Sequence, residues 1–266
     1  MNLIDAIGVE HQPVAPLRET PRIVSLVPSI TELLCDLGLT HWMAGRTGFC
    51  IHPAEAVASI PKLGGTKDVN LNKIRALAPT HLIVNIDENE KLAVDALAAF
   101  IPHIIVTHPR APRDNIGLYQ LLGGIFGAEE KAQDLCNAFE HEYAILTGMP
   151  AQEPKTVLYC IWKDPWMTVS EDTYIAQMLA LKHWRHWTAG DPLEAGRRYP
   201  KFNWSPEVVG TIDEVLLSSE PYRFTEAHVD ALEQQIGKPV HLVDGEMLSW
   251  YGSRAIGGLR YLQQLA

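Results

Sequence analysis

No stretch of the 266-residue chain approaches the roughly 18 consecutive apolar residues of a membrane-spanning helix, so insertion into a bilayer is not expected. Basic residues are scarce as well. Twenty-two Lys and Arg stand against 32 Asp and Glu, a net charge of −10, with no basic cluster interleaved with aromatics. That excludes nucleic acid and anionic lipid surfaces as partners and favours small molecules. The four cysteines, Cys35, Cys50, Cys136 and Cys160, show no CxxC and no regular spacing, so a disulfide framework is not expected and a reducing compartment is favoured. Residues Met1 to Thr20 carry Asp5, Glu10, His11 and Glu19 and lack the basic start and apolar stretch of a secretory signal. As written, the chain is expected in the cytoplasm; a periplasmic location is the alternative if a signal has been removed.

Enzyme motifs are missing too. Gly64-Gly65-Thr66-Lys67 lacks the GxxxxGK[ST] spacing of a phosphate-cradling loop, and Gly45-Arg46-Thr47-Gly48 is too short for a dinucleotide fingerprint. Neither GxSxG nor HExxH occurs. A non-catalytic protein that requires no cofactor is therefore expected. Cys50 with His52, His108, and His183 with His186 are too few in any one place for a protein-held metal, which needs three or four ligands. His52 is the residue best placed to reach the metal of a bound chelate.

What is present is a regular alternation of strands and helices around one long helical stretch. From Asp114 to Met149, apolar residues recur at three and four, and Gly123, Gly124 and Gly127 predict a break, leaving a continuous helix over about 128–147. Such a helix is about 30 Å long. Before it, strands are predicted at Arg22–Val27, His41–Gly45, His81–Ile86 and His103–Thr107; after it, at Thr156–Trp162, Glu214–Ser218 and Val240–Val243. A capping box is expected from Ser29 and Glu32. Helices between strands imply parallel sheets. The expected fold is α/β: an amino-terminal lobe over 1–113, connecting helices over 114–149 and a carboxy-terminal lobe over 150–266, two Rossmann-like lobes with a ligand cleft between them. A monomer is expected.

The loops predicted to leave the strands carry the candidate binding residues. In the second half these are Trp162 to Met167, Glu220 to Phe224 and Met247 to Arg254, three aromatic-rich strand ends suited to a large flat ligand, although each ring could instead pack the lobe itself. In the first half they are Pro28-Ser29, Arg46 to His52, Gly64 to Lys67 and Asp87-Glu88-Asn89. Glycines there admit a ligand close to the backbone, and Arg46 or Lys67 could meet a carboxylate or phosphate. Arg46 could equally form a structural salt bridge. Asp87 to Asn89 could simply begin the next helix.

Ile4-Asp5-Ala6 with Gly8, then Arg22 to Glu32 (RIVSLVPSITE), resembles the opening of the cobalamin and iron-siderophore binding proteins of ABC importers, the two-lobed family with a helical backbone. Leu63 to Asn70 (LGGTKDVN) followed by Ile74, Leu77, Ala78 and Pro79 resembles that family's next signature. The similarity covers essentially the whole chain and is nearest to the cobalamin branch. It implies a corrinoid or similar metal chelate, with haem or a ferric siderophore as alternatives, and an importer permease as partner. It also implies a ligand held by Phe49, Cys50, Thr66 and Lys67 on one side and Trp162, Trp166, Glu220 and the Ser249 to Arg254 loop on the other. Together with the strand-end reading, the candidate site is Pro28, Ser29, Arg46, Phe49, Cys50, His52, Gly65, Thr66, Lys67, Glu88, Trp162, Trp166, Glu220, Tyr222, Trp250, Tyr251 and Arg254. A tetrapyrrole-handling enzyme or chaperone of the chelatase kind is the competing function.

Overall fold

The computed structural model describes residues 3–14, 20–150, 153–188, 194 and 196–265; Pro16 and Glu19 of the amino-terminal arm lie outside them. The chain packs as two units. One gathers Met1–Pro109, Arg113–Phe139 and Tyr251–Arg254, the other Arg110–Pro112, Glu140–Trp250 and Ala255–Ala266.

The first unit is built on β1 (Ile23–Ser25), β2 (Met43–Arg46), β3 (His81–Asn85) and β4 (His103–Thr107), in the order β2-β1-β3-β4 with every pairing parallel. Helices α1 (Pro28–Asp36), α2 (Ala54–Val57), α3 (Leu71–Ala76) and α4 (Lys91–Ala98) are interspersed. β1 and β3 are fully buried, which is why they read as continuous apolar runs rather than alternating ones. Val24, Leu26, Leu63, Ile74, Leu82, Val84 and Leu97 pack into one core.

The capping box expected at the start of α1 does not form. Its N-cap is Val27, Pro28 occupies the first turn, and Ser29 is buried. Pro28 has no N–H to satisfy there, so α1 starts without a side-chain cap, and Glu32 is left to pair elsewhere.

α5 (Asp114–Phe126) ends at Gly127, whose φ of 65° is the left-handed cap that glycine favours. Gly123 does not break α5. A Cβ there would stand 2.5 Å from the Ala132 Cβ, so this glycine lets α6 (Glu129–Thr147) approach. α6 starts in the first unit and ends in the second.

The second unit repeats the plan with β5 (Lys155–Cys160), β6 (Trp184–His186), β7 (Glu214–Ser218) and β8 (Val240–Val243), ordered β6-β5-β7-β8 and again parallel. Its helices are α7 (Tyr174–Ala180), α8 (Pro206–Thr211), α9 (Glu226–Ile236), α10 (Gly245–Ser249) and α11 (Arg254–Gln264). Leu158, Cys160, Phe202, Val215, Leu217 and Phe224 form its core. The fold is thus the α/β architecture of two parallel sheets expected from the alternation. β6, α8 and α10 are additions to that expectation.

Candidate functional site

Because every strand of a sheet runs the same way, its carboxyl ends share one edge, and the loops leaving them gather there. On the first unit this edge exposes Phe49 (63% accessible) and Ile51 from the loop after β2, and Ile86 after β3. His52 and Thr66 are half-buried and Lys67 is exposed. Gly64, at φ 109°, makes the turn that carries Thr66 and Lys67. A Cβ on Gly65 would lie 2.0 Å from the Asp68 Oδ1 and 3.3 Å from the Phe49 ring, so Gly65 lets that ring lie against bare backbone.

Several expected ligand residues of this unit are directed inward instead. Arg46 is buried: its Nε donates to the Val57 carbonyl at 2.9 Å, and its Nη1 to the carbonyls of Cys50 at 2.7 Å and Thr47 at 3.3 Å. In place of a carboxylate, a phosphate or a salt bridge, the guanidinium closes its own loop over backbone carbonyls. Arg46→Ala is accordingly expected to cost about 2 kcal/mol of stability in urea denaturation. Cys50 is fully buried beside the Thr47 hydroxyl, and burial pushes its thiol pKa up against the opposing hydrogen bonds of Thr31 and Thr47.

Glu88 accepts from the Tyr251 hydroxyl at 2.6 Å, and burial with the nearby Glu88 carboxylate drives the Tyr251 pKa well above its usual value. Arg254 grips Glu32 with two hydrogen bonds of 2.7 Å. Between them the Gly252 N–H donates to Asn115 and its carbonyl accepts from Tyr119. Tyr251 to Arg254 therefore serve as an anchor within the first unit. Asp87 to Asn89 do not begin α4, whose N-cap is Glu90; they form the turn after β3.

On the second unit, β5, β7 and β8 are neighbours, as the three aromatic strand ends require. Trp162 is 39% accessible and meets half-buried Tyr222 edge-on at 5.4 Å. The remaining rings pack mostly on one another. Trp166 stacks on Phe224 at 5.8 Å and abuts Trp204 at 5.5 Å, while Phe202 joins Trp204 and Trp187. The self-packing alternative thus holds for Phe224, and in part for Trp166.

Glu220 is half-buried, and its Oε1 accepts from Ser249 at 3.0 Å and from the buried Trp250 indole at 2.8 Å. Burial raises its pKa while those two donors act to lower it. Gly245 is required beneath this loop, since a Cβ there would lie 2.3 Å from the Ser218 Oγ. A cavity of about 950 Å³ elsewhere in this unit, lined by Thr156, Arg185, Trp187, Phe202 and Thr211 among others, also touches Thr188 and Glu194, which flank residues outside the described ones.

Among the described residues no group of three or more His, Cys, Asp or Glu could hold a metal ion. His108 instead contacts Asp87 at 3.2 Å, and His186 contacts Thr168 at 3.3 Å. The candidate residues did not include Ile51 and Ile86, although Ile51 lies in the Arg46 to His52 loop and Ile86 ends the predicted strand His81–Ile86, which was the available signal.

Residues 23–205, more than half of the chain, match the family described as Periplasmic binding protein. The chain belongs to that family. It is a substrate-binding protein and not an enzyme, so the chelatase-like alternative gives way. Among curated proteins, YvrC, an ABC transporter substrate-binding lipoprotein of Bacillus subtilis, is 26% identical over 96% of this chain and 82% of its own length. Two solved structures share the fold. The periplasmic vitamin B12 binding protein BtuF of Vibrio cholerae has a TM-score of 0.75 at 17% identity, covering 91% of this chain and 96% of that one. The periplasmic haem-binding protein RhuT of Roseiflexus sp. RS-1 has a TM-score of 0.76 at 21% identity, covering 92% and 97%. No helix among the described residues of this family member is long and apolar enough to cross a membrane.

Proposed function

We propose that this chain is the extracytoplasmic substrate-binding protein of an ABC importer, and that its cargo is a corrinoid or a similar flat metal chelate taken up at the strand-end faces. The observation that carries the cargo class is the exposure of one large aromatic ring at the carboxyl edge of each sheet, Phe49 and Trp162, where burying a ring against a planar ligand gains most. Thr66, Lys67, Tyr222 and Glu220 supply polar groups around them. YvrC's naming as a transporter lipoprotein and BtuF's as a vitamin B12 binder support the reading. The four free cysteines do not stand against it: Cys50, Cys136 and Cys160 are buried, and burial raises the pKa of Cys35, Cys50 and Cys160.

Calorimetric titration with cyanocobalamin, hydroxocobalamin, haemin and a ferric siderophore tests this. The expected result is a Kd below about 100 µM for cyanocobalamin, stronger than roughly −5.5 kcal/mol, weakened at least about tenfold by Trp162→Ala. No binding of that strength to any of the four overturns the proposal. Haem is the second reading, favoured by half-buried His52 in the same loop as Phe49. It predicts a Soret shift on adding haemin that His52→Ala abolishes.

A further inference from the structure

Asn89 stands where three strand-end loops of the first unit meet. Its side chain offers one acceptor and two donor hydrogens, and all are used. Oδ1 accepts from the Asn85 N–H at 2.9 Å, while Nδ2 donates to the Leu26 carbonyl at 3.2 Å and to the Thr66 carbonyl at 2.9 Å. One partner is an N–H and two are carbonyls, so the opposite orientation of the amide would lose all three bonds. Asn85 is itself fixed, accepting from the Asp87 N–H at 2.8 Å. The turn after β3 is thereby tied to the end of β1 and to the Gly64 to Asp68 turn.

From Thr66 the restraint leads to Phe49 in two short steps. Gly65, next in the chain, presents the bare backbone against which the Phe49 ring lies. The Gly48 N–H, on the other side of Phe49, donates to the Gly64 carbonyl at 2.7 Å. Phe49 thus extends from a backbone tied to that turn through Gly48, with its ring edge against Gly65, and Asn89 is a side chain that fixes the turn.

We infer that Asn89 is a positioning residue: by holding the Thr66 carbonyl it sets the place of the exposed Phe49 ring at the ligand surface. The role in binding rests on the function proposed above; the mechanical link from Asn89 to Phe49 does not. Aspartate at 89 keeps the shape and the acceptor but has no hydrogens to give the two carbonyls, so Asn89→Asp removes the link with little change in volume.

The test separates the two parts. In protein labelled with 4-fluorophenylalanine, the six Phe residues give ¹⁹F resonances, and the one missing from Phe49→Leu belongs to Phe49. In Asn89→Asp the Phe49 resonance is expected to shift or broaden while the five others stay in place. Asn89→Leu, of similar size but with neither donor nor acceptor, provides a second variant should Asn89→Asp fold poorly, with the same expected result.

With whichever of cyanocobalamin and haemin binds the parent protein, Asn89→Asp is expected to raise Kd about tenfold, a loss absent in a Phe49→Ala background. An unmoved Phe49 resonance in both variants, or an equal Kd penalty with and without Phe49, overturns the inference. Failure of cyanocobalamin and haemin, together with hydroxocobalamin and the ferric siderophore, to bind the parent defeats the proposed cargo, and the ¹⁹F result then decides the mechanical link alone.

Discussion

Asp5→Ala is expected to lower the stability of the first unit by about 3 to 5 kcal/mol, the range for stripping a buried charged partner from its hydrogen bonds. The carboxylate is fully enclosed. Its Oδ1 accepts from the N–H groups of Ile7 at 3.1 Å and Val9 at 2.9 Å, and its Oδ2 from the Val106 N–H at 3.1 Å and the His11 ring at 3.2 Å. One side chain thereby folds the Asp5 to Gly8 turn and fastens it to the edge strand β4, where the Ala6 N–H also donates to the Val106 carbonyl at 2.9 Å. With the carboxylate gone, these donors keep their desolvation and lose their acceptor. Denaturant unfolding of parent, Asp5→Ala and Asp5→Asn measures the effect, with Asn expected between the two because its amide can satisfy part of the donor set. A loss under about 1 kcal/mol for Asp5→Ala would mean that the turn is held by its backbone bonds alone.

Asp5 also shows what the sequence could and could not disclose. In the sequence its charge spoke against a secretory signal, and the family resemblance marked it as part of an opening motif. Its partner Val106 lies 101 residues away, beyond the reach of any local pattern. The same holds at the candidate site. Strand and loop positions follow from periodicity, so Phe49 and Trp162 could be placed at strand ends from the sequence. Which way a loop side chain points depends on distant partners: Glu88 for Tyr251, 163 residues apart, and Glu32 for Arg254, 222 apart.

The missed elements have local reasons. β6 is three residues long and carries Arg185 exposed between two buried residues, too short a stretch to show alternation. α8 had a legible start in Ser205-Pro206, a capping serine followed by proline at the first position, but Val208, Val209 and Gly210 are poor helix formers. Gly123 was legible as a cost to the helix and not as a contact, since the Ala132 it accommodates belongs to the next helix.

Acid is expected to destabilise the protein well before the carboxylates titrate. His81 is held down to about 4, first by burial and then by the charges of His103 and His11; its ring stacks on His103 at 4.7 Å and meets Phe126 edge-on. Burial alone lowers His186 to about 4, against a raising backbone contact at Trp187. Both rings are neutral when folded, whereas in the unfolded chain each takes a proton near pH 6.5. A depressed folded pKa means that the unfolded state binds more protons as pH falls. The stability is therefore complete above about pH 6.5 and lost progressively towards pH 4, roughly 3 kcal/mol per ring.

Asp36 and Glu220, whose pKa values burial raises, act in the opposite sense, because the folded state takes up their protons earlier. The interval from about pH 6.5 to 5 lies above the ordinary carboxylate range and isolates the histidines best. Urea denaturation across it should show a falling unfolding free energy, with a slope nearly halved in His81→Phe, which keeps the ring packing and removes the titration. A flat profile in the parent protein, or an unchanged slope in the variant, would refute this assignment.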